Sequence, residues 1–160
     1  MSAKLDRTDL RILQILQREG RITNAELADR VALSPAPCLR RVQRLERDGV
    51  ITGYGARVDP KAVGLGLQAF VRVQLETHDS DHVKRFADLV SDAEEVIACW
   101  SLTGEMDYLL QVAVADLEHY NSFIMSRLLR EGGVRDVNSS FFLGTIKSNR
   151  GWPLGQVESV

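Results

Sequence analysis

The sequence predicts an α+β protein with a helical front part and a rear part in which strands and helices alternate. Apolar residues recur at helical spacing up to about residue 48, whereas from residue 67 onward runs with a two-residue period stand between helical runs. Charge divides at the same place, with 11 Lys and Arg against 7 Asp and Glu in residues 1–57, and 9 against 15 in the remainder. A basic front and an acidic rear predict two domains with different partners.

Size and composition are those of an ordinary globular protein, with 160 residues, 44% hydrophobic and 26% charged. No apolar run is long enough to span a membrane, and the first residues, MSAKLDRTD, lack the core of a signal peptide. We therefore expect a cytoplasmic location. Cys38 and Cys99 are too few for a disulfide framework, and each is expected to be a small buried hydrophobic residue.

Two adjacent helix starts stand out between residues 23 and 51. Thr23 followed by Glu26 forms a capping box, which predicts a helix from Asn24. Ser34 is a strong N-cap and Pro35 suits a first helical position, so a second helix is expected over residues 36–48. Two helices joined by so short a turn form a helix-turn-helix, whose second helix enters the major groove of DNA.

The second helix has one apolar and one cationic side at about 100° per residue. The apolar side comprises Cys38, Leu39, Val42 and Leu45. The candidates for contact with base edges are Ser34, Ala36, Pro37 and Arg40. The candidates for contact with phosphates are Arg41, at the edge of the cationic side, Arg44 and Arg47. An arginine-rich face that is merely solvated is the alternative.

The flanking segments complete the predicted domain. Asp6 and Asp9 form an acidic capping box, which predicts a first helix to about Glu19 that a left-handed Gly20 ends. After Gly49, the segment ITGYGARV (51–58) is strand-like with glycines suited to a hairpin, and we interpret it as a wing. Arg57 could contact phosphate there or be simply exposed.

The rear part predicts four strands and two helices. After a linker at 59–66, strands are expected at 67–76, 96–103, 108–115 and 134–146, with helices at 83–90 and 117–128. The order βαββαβ is that of a ferredoxin-like sandwich. The predicted domains are therefore 1–58, the linker 59–66, 67–147, and a tail at 148–160.

One face of this sheet would remain uncovered, since both helices lie on the other face. Phe70, Trp100, Phe141 and Phe142 make part of this face or an edge too apolar to stay solvated. A second copy of the sheet would cover it. Such a dimer would also hold two recognition helices at a fixed spacing, as symmetric operators require.

Three stretches resemble the Lrp/AsnC family of bacterial and archaeal regulators: LDRTDLRILQILQREGRITNAELADRV, LSPAPCLRRVQRLERDGVI and TGEMDYLLQV. The resemblance covers almost the whole chain. It implies an N-terminal winged helix-turn-helix, a C-terminal ferredoxin-like βαββαβ (RAM) domain, and dimers that assemble further into octamers. Pro37 departs from the family, whose members more often carry a small or hydroxylated residue there.

The turn between the second and third strands, TGEMDY, is a candidate ligand site. Glu105 and Asp107 offer carboxylates for an ammonium group, although turn chemistry alone also explains a glycine and an aspartate there. The resemblance implies an amino-acid effector between associated dimers, bound by Thr103, Gly104, Asp107 and Glu105. Neighbours from the fourth strand would be Asn138, Ser139 and Ser140.

Other functions have weaker support in the sequence. His78 and His82 have the spacing of a helical metal pair, but no third ligand is evident, so no metal site and no cofactor are expected. Catalysis rests only on analogy with other ferredoxin-like domains. An architectural protein that bends DNA would show little preference for one sequence. We therefore expect a nucleoid-associated, sequence-specific transcriptional regulator that binds double-stranded DNA and is modulated by an amino acid.

Overall fold

The computed structural model describes residues 4–156, which form two compact units. One unit contains the residues up to Arg57 together with those from Lys147 onward, and the other is Val58–Ile146. The described part of the predicted tail therefore belongs to the front unit, and the predicted linker belongs to the rear unit. No helix within residues 4–156 is long and apolar enough to cross a membrane.

The front unit contains the three predicted helices: α1 (Arg7–Leu16), α2 (Asn24–Arg30) and α3 (Pro35–Arg47). Both predicted capping boxes are present, with Asp6 and Asp9 at the start of α1 and Thr23 and Glu26 at the start of α2. Pro35 occupies the first position of α3 after Ser34, whose side chain makes no capping hydrogen bond. The backbone N–H groups at the starts of α1 and α2 are satisfied locally, which explains why these starts could be predicted from the sequence.

The turn between α2 and α3 is a Schellman motif with alanine in the left-handed position. Ala32 has φ 54°, the Leu33 N–H donates to the Ala28 carbonyl at 2.9 Å, and the Ala32 N–H donates to the Asp29 carbonyl at 3.1 Å. By contrast, α1 ends at Leu16 and Gly20 is not left-handed, so the predicted helix end at residues 19–20 is wrong.

A single core joins the three helices. Its buried members are Ile12, Leu13, Leu27, Ala28, Val31, Cys38 and Leu45, and Leu154 from the C-terminal segment packs against them. Leu39 was expected on the apolar side, but it is 44% exposed, because it lies at the edge of that side.

The predicted wing is not a hairpin in this structure. No strand is assigned to residues 51–58, and the Tyr54 hydroxyl donates instead to Glu46 Oε1 on α3 at 2.8 Å. Eight residues with two glycines provide few cross-strand bonds, and an isolated two-stranded hairpin is marginal in water. The segment therefore follows the helices as extended chain.

The rear unit has the predicted ferredoxin-like order. Its elements are β1 (Leu67–Leu75), α4 (Ser80–Asp92), β2 (Val96–Ser101), β3 (Tyr108–Val114), α5 (Leu117–Ser122), α6 (Leu129–Glu131) and β4 (Val134–Phe141). The antiparallel sheet has the order β2-β3-β1-β4. A π-helical stretch, Phe123–Leu128, joins α5 to α6, and β4 ends five residues before the predicted boundary.

Helices cover one face of the sheet, and the other face is partly exposed. Ala69, Val71, Val73 and Leu75 of β1 are buried on the helix side, as their alternation predicted. We call the other side the open face. It carries Phe70 and Trp100, 38% and 46% exposed, and Phe142, whose ring centroid lies 4.9 Å from that of Phe70. Phe141 is not on this face: it pairs with Ala69 and packs against Tyr120, because successive strand residues point to opposite sides.

Candidate nucleic-acid interface and effector site

A buried carboxylate fixes α3 against α1. The Asp9 side chain is 1% exposed, and its two oxygens accept hydrogen bonds from Arg41 Nη1 at 2.8 Å and Arg44 Nη2 at 2.5 Å. Arg41 Nη1 also lies 2.6 Å from Asp6 Oδ2. The capping box that starts α1 therefore also orients the helix that carries the candidate DNA contacts.

These contacts change the charge that α3 presents. The hydrogen bonds to Asp6 and Asp9 raise the pKa of Arg41, and the bond from the Asp9 N–H, followed by those from Arg41, lowers the pKa of Asp6. Arg41 and Arg44, both predicted to contact phosphates, are thus partly neutralised within the protein. Sequence reasoning missed this role of Asp9, although its spacing to Ile12, Leu13 and Leu16 places it on the apolar side of α1.

The remaining arginines of α3, Arg40 and Arg47, form no ion pair with Asp6 or Asp9. Arg40 is exposed and makes no ion pair with any carboxylate of residues 4–156, and Arg47 Nε lies 4.0 Å from Asp48. Ser34 and Ala36 are exposed at the start of the helix, with Pro37 half-buried beside them. Arg57 lies apart from this group, where its Nη2 donates to the Gln17 carbonyl at 3.4 Å.

Pro37 does not disturb the start of α3. Ala36 and Pro37 both lie within the helix, and the Cys38 N–H donates to the Ser34 carbonyl at 3.2 Å. The Asn24 side chain donates to the Pro35 carbonyl at 2.9 Å and ties the start of α2 to that of α3. The first turn of α3 is thus held in place and exposed, as a helix that inserts into a groove requires.

The candidate effector turn joins β2 to β3. Gly104 has φ 118°, which favours glycine, and Thr103, Gly104 and Glu105 are exposed. The Leu102 N–H donates to the Asp107 carbonyl at 2.7 Å and closes the turn. The Glu105 carboxylate has no hydrogen-bond partner within residues 4–156, and it is therefore available to a ligand.

Asp107 is already engaged within the protein. Its Oδ2 accepts the Leu75 N–H at 2.8 Å, its Oδ1 lies 2.7 Å from His78 Nε2, and its own N–H donates to the Val73 carbonyl at 2.9 Å. Burial acts to raise the pKa of Asp107, but the hydrogen bonds from His78 and Leu75 outweigh it, so that the pKa is lowered. The residue fixes the turn to the end of β1. Sequence reasoning missed His78 as its partner.

The three candidates from β4 are divided between the two sides of the sheet. Asn138 and Ser140 pair with Arg72 and Phe70 on the open face. Ser139 pairs with Val71 on the helix side, where its hydroxyl is hydrogen-bonded to that of Tyr120. The structure therefore does not bring Ser139 together with its two neighbours.

Neither histidine of the predicted spacing is arranged for a metal. His78 pairs with Asp107, and His82 Nδ1 lies 2.8 Å from Asp79 Oδ2. Among residues 4–156, no group of three or more His, Cys, Asp or Glu side chains could hold a metal ion.

Family models match both units. The model described as "Lrp/AsnC ligand binding domain" matches residues 68–152, and the model described as "Winged helix-turn-helix DNA-binding" matches residues 5–52. Together they span most of the chain.

Curated relatives and solved structures agree with these matches. The Bkd operon transcriptional regulator of Pseudomonas aeruginosa is 40% identical over 95% of this chain and 99% of its own. The leucine-responsive regulatory protein of Escherichia coli is 42% identical over 91% of this chain and 90% of its own. The crystal structure of a Neisseria meningitidis transcriptional regulator in complex with L-Met is 48% identical, with a TM-score of 0.90 over 94% of this chain and 97% of that one.

The relatives are regulators rather than enzymes, and their identity to this chain extends through both units. The helix-turn-helix that contains the exposed arginines of α3 and the ligand-binding domain therefore occur together in these relatives. The chain is a DNA-binding transcriptional regulator of the Lrp/AsnC family.

Proposed function

We propose that the protein binds a specific operator sequence through α3 and that an amino acid bound at the β2–β3 turn modulates this binding or the assembly of subunits. The observation that carries the proposal is the exposed start of α3, on a helix that Asp9 holds in one orientation, with an Arg40 that forms no ion pair within residues 4–156. A protein that binds operator DNA acts where that DNA lies, so we place its action in the cytoplasmic nucleoid.

Within the DNA interface, we assign different tasks to the arginines. Arg40, with Ser34, Ala36 and Pro37, reads base edges, because these residues occupy the exposed first turns of α3. Arg47 and the exposed part of Arg44 contact phosphates. Arg41 mainly orients the helix through Asp6 and Asp9, and Arg57 contacts flanking phosphate.

At the effector turn, Glu105 is the carboxylate that holds the ammonium group of an amino acid, because the Asp107 carboxylate already has two partners. Thr103 and Gly104 offer the adjoining hydroxyl and N–H groups, and Asn138 and Ser140 add polar groups on the open face. Asp107 positions the turn. L-Met and L-Leu are the first ligands to test, given the Neisseria complex and the name of the Escherichia coli relative.

The open face supports assembly as a homodimer, and further association of dimers into octamers would place effector turns at subunit interfaces. A ligand shifts DNA affinity only if it binds one assembly state better than another. Coupling of this kind typically amounts to about 1–3 kcal/mol, a severalfold to hundredfold change in affinity.

DNA recognition is tested by selecting duplexes from a random library and measuring the affinity of the selected and random duplexes by fluorescence anisotropy at several salt concentrations. A regulator should prefer its site by about 10³ or more. Arg40→Ala should reduce this preference, while Arg85→Ala, an exposed arginine on α4, should not. Equal affinity for all duplexes would contradict the proposal and favour an architectural role.

Effector binding is tested by thermal shift against the twenty amino acids, since a ligand that prefers the folded state raises Tm. Glu105→Gln should abolish the shift produced by an active amino acid. Glu118→Gln, an exposed glutamate on α5, is the matched control. A shift that survives in Glu105→Gln would remove this carboxylate from the site.

A further inference from the structure

A groove of about 720 Å³ lies in the front unit between α1 and the C-terminal segment 150–155. The residues that define its chemistry are Arg18, Arg57, Arg150, Trp152, Gln14 and Gln17, and no aspartate or glutamate lines it. Its volume is within the range of small-molecule sites. Of these residues, only Arg57 is also assigned to the proposed DNA interface, and none belongs to the effector turn.

The C-terminal wall of the groove is a built feature. The Trp152 N–H donates to Gln17 Oε1 at 2.5 Å, and Gln17 Nε2 donates to the Trp152 carbonyl at 3.3 Å. Gly151 has φ 103°, and a Cβ there would lie 2.6 Å from Gln17 Cδ. With Leu154 packed against the helical core, these contacts hold Arg150 and Trp152 beside α1.

The charge of the groove is not balanced within the described part of the chain. Arg18, Arg57 and Arg150 form no ion pair with any carboxylate of residues 4–156, and Arg57 donates only to the Gln17 carbonyl. A monocarboxylate would neutralise one of three guanidinium groups. A diphosphate or triphosphate matches the charge better, and its oxygens suit the forked geometry of arginine.

Trp152 adds a surface for a flat ring. Its side chain is 82% exposed while its backbone is fixed to Gln17, so the indole is available for stacking. Stacking of a nucleic-acid base on an aromatic side chain contributes about 1–3 kcal/mol and tolerates different bases.

The groove does not lie on the side of α1 that meets α3. At about 100° per residue, Gln14 is rotated by about 140° from Asp9, which binds Arg41 and Arg44. A duplex read by α3 is therefore not the favoured source of the phosphates.

We propose that this groove binds a nucleoside diphosphate or triphosphate, with the phosphates on Arg18, Arg57 and Arg150 and the base stacked on Trp152. The groove belongs to the front unit and the effector turn to the rear unit, so the nucleotide would be a second class of small-molecule ligand. Because the groove involves neither α3 nor the rear unit, the proposal does not depend on the proposed function.

Isothermal titration of the full-length protein with ATP, ADP and pyrophosphate, without divalent cations, tests the proposal directly. We expect ATP to bind, and we expect Arg18→Ala and Arg150→Ala each to weaken it about tenfold or more, as the loss of a charge-assisted bond predicts. Arg85→Ala, outside the groove, should leave the affinity unchanged. Trp152→Ala should reduce ATP affinity about fivefold or more while pyrophosphate affinity is retained.

Three results would overturn the proposal. One is that millimolar ATP produces no binding heat and no rise in Tm. Another is that ATP binding is the same in the wild type, Arg18→Ala and Arg150→Ala. The third is that these two variants lose affinity for duplex DNA but not for ATP, which would assign the groove to the DNA backbone.

Discussion

The buried carboxylate of Asp9 accepts a hydrogen bond of 2.8 Å from Arg41, and this contact joins the first turn of α1 to the helix proposed to read DNA. The same carboxylate binds Arg44, so one acidic side chain, 1% exposed, sets the orientation of α3 and cancels part of its charge. Stability and DNA recognition should therefore respond together when Asp9 is changed.

Asp9→Asn should lower the free energy of unfolding by about 1–3 kcal/mol, because a charge-assisted bond is lost while both arginines keep some access to water. The substitution should also reduce the ratio of the affinity for operator DNA to the affinity for random DNA, because the freed guanidinium groups bind any phosphate backbone. Urea unfolding and anisotropy at two salt concentrations measure the two effects. Asp6→Asn, whose carboxylate is 48% exposed, is the control and should have smaller effects.

Ala32→Gly should stabilise the front unit. The left-handed conformation of Ala32, with φ 54°, costs about 1–2 kcal/mol, which glycine would not incur. Glycine loses more conformational entropy on folding, and this loss offsets about half of the gain. We expect a gain of about 0.5–1 kcal/mol in urea unfolding with DNA affinity unchanged. A loss of stability would show that the Schellman turn is not strained by alanine. Ala36→Gly, in the first turn of α3, should destabilise and serves as the opposite control.

Asp107→Asn should remove a contribution to stability that depends on pH. The pKa of Asp107 is lowered from its ordinary value of 3.8, so the folded state favours the ionised form. The contribution is therefore complete above that value and is lost as pH falls through the lowered pKa. The difference in unfolding free energy between wild type and variant should shrink as pH falls below about 4. A difference that grows as pH falls below about 4 would contradict the direction of the shift.

The fold could be predicted largely because its signals are local. The capping boxes at Asp6 and Thr23 and the alternation along β1 each involve residues a few positions apart, and all of these predictions are confirmed. The hairpin predicted for residues 51–58 is absent because it would need a contact beyond the segment itself. Local strand propensity in residues 51–58 cannot provide the partner that a stable hairpin requires.

The site was less predictable because its contacts join distant positions. Asp107 and His78 are 29 residues apart, and nothing in the spacing of either indicates the other. Asp9 meets Arg44 across 35 residues, although its place on the apolar side of α1 was visible. Likewise, Phe141 and Ser139 could be assigned to the helix side only after the register of β4 on β1 was known.

Phe70→Glu should dissociate the proposed dimer, because Phe70 stands on the open face between β3 and β4 and is 38% exposed. A two-fold interface contains the new carboxylate twice, once from each subunit, and burying an unpaired charge is costly. We therefore expect the association constant of the dimer to fall about a hundredfold or more. Sedimentation velocity should detect monomers, and operator affinity should fall because two recognition helices are no longer held together. Leu117→Glu is the matched control, since Leu117 is 62% exposed on α5, away from the open face. If both variants retain the mass of the wild type, the open face is not the interface, whereas dissociation by Phe70→Glu alone would identify it.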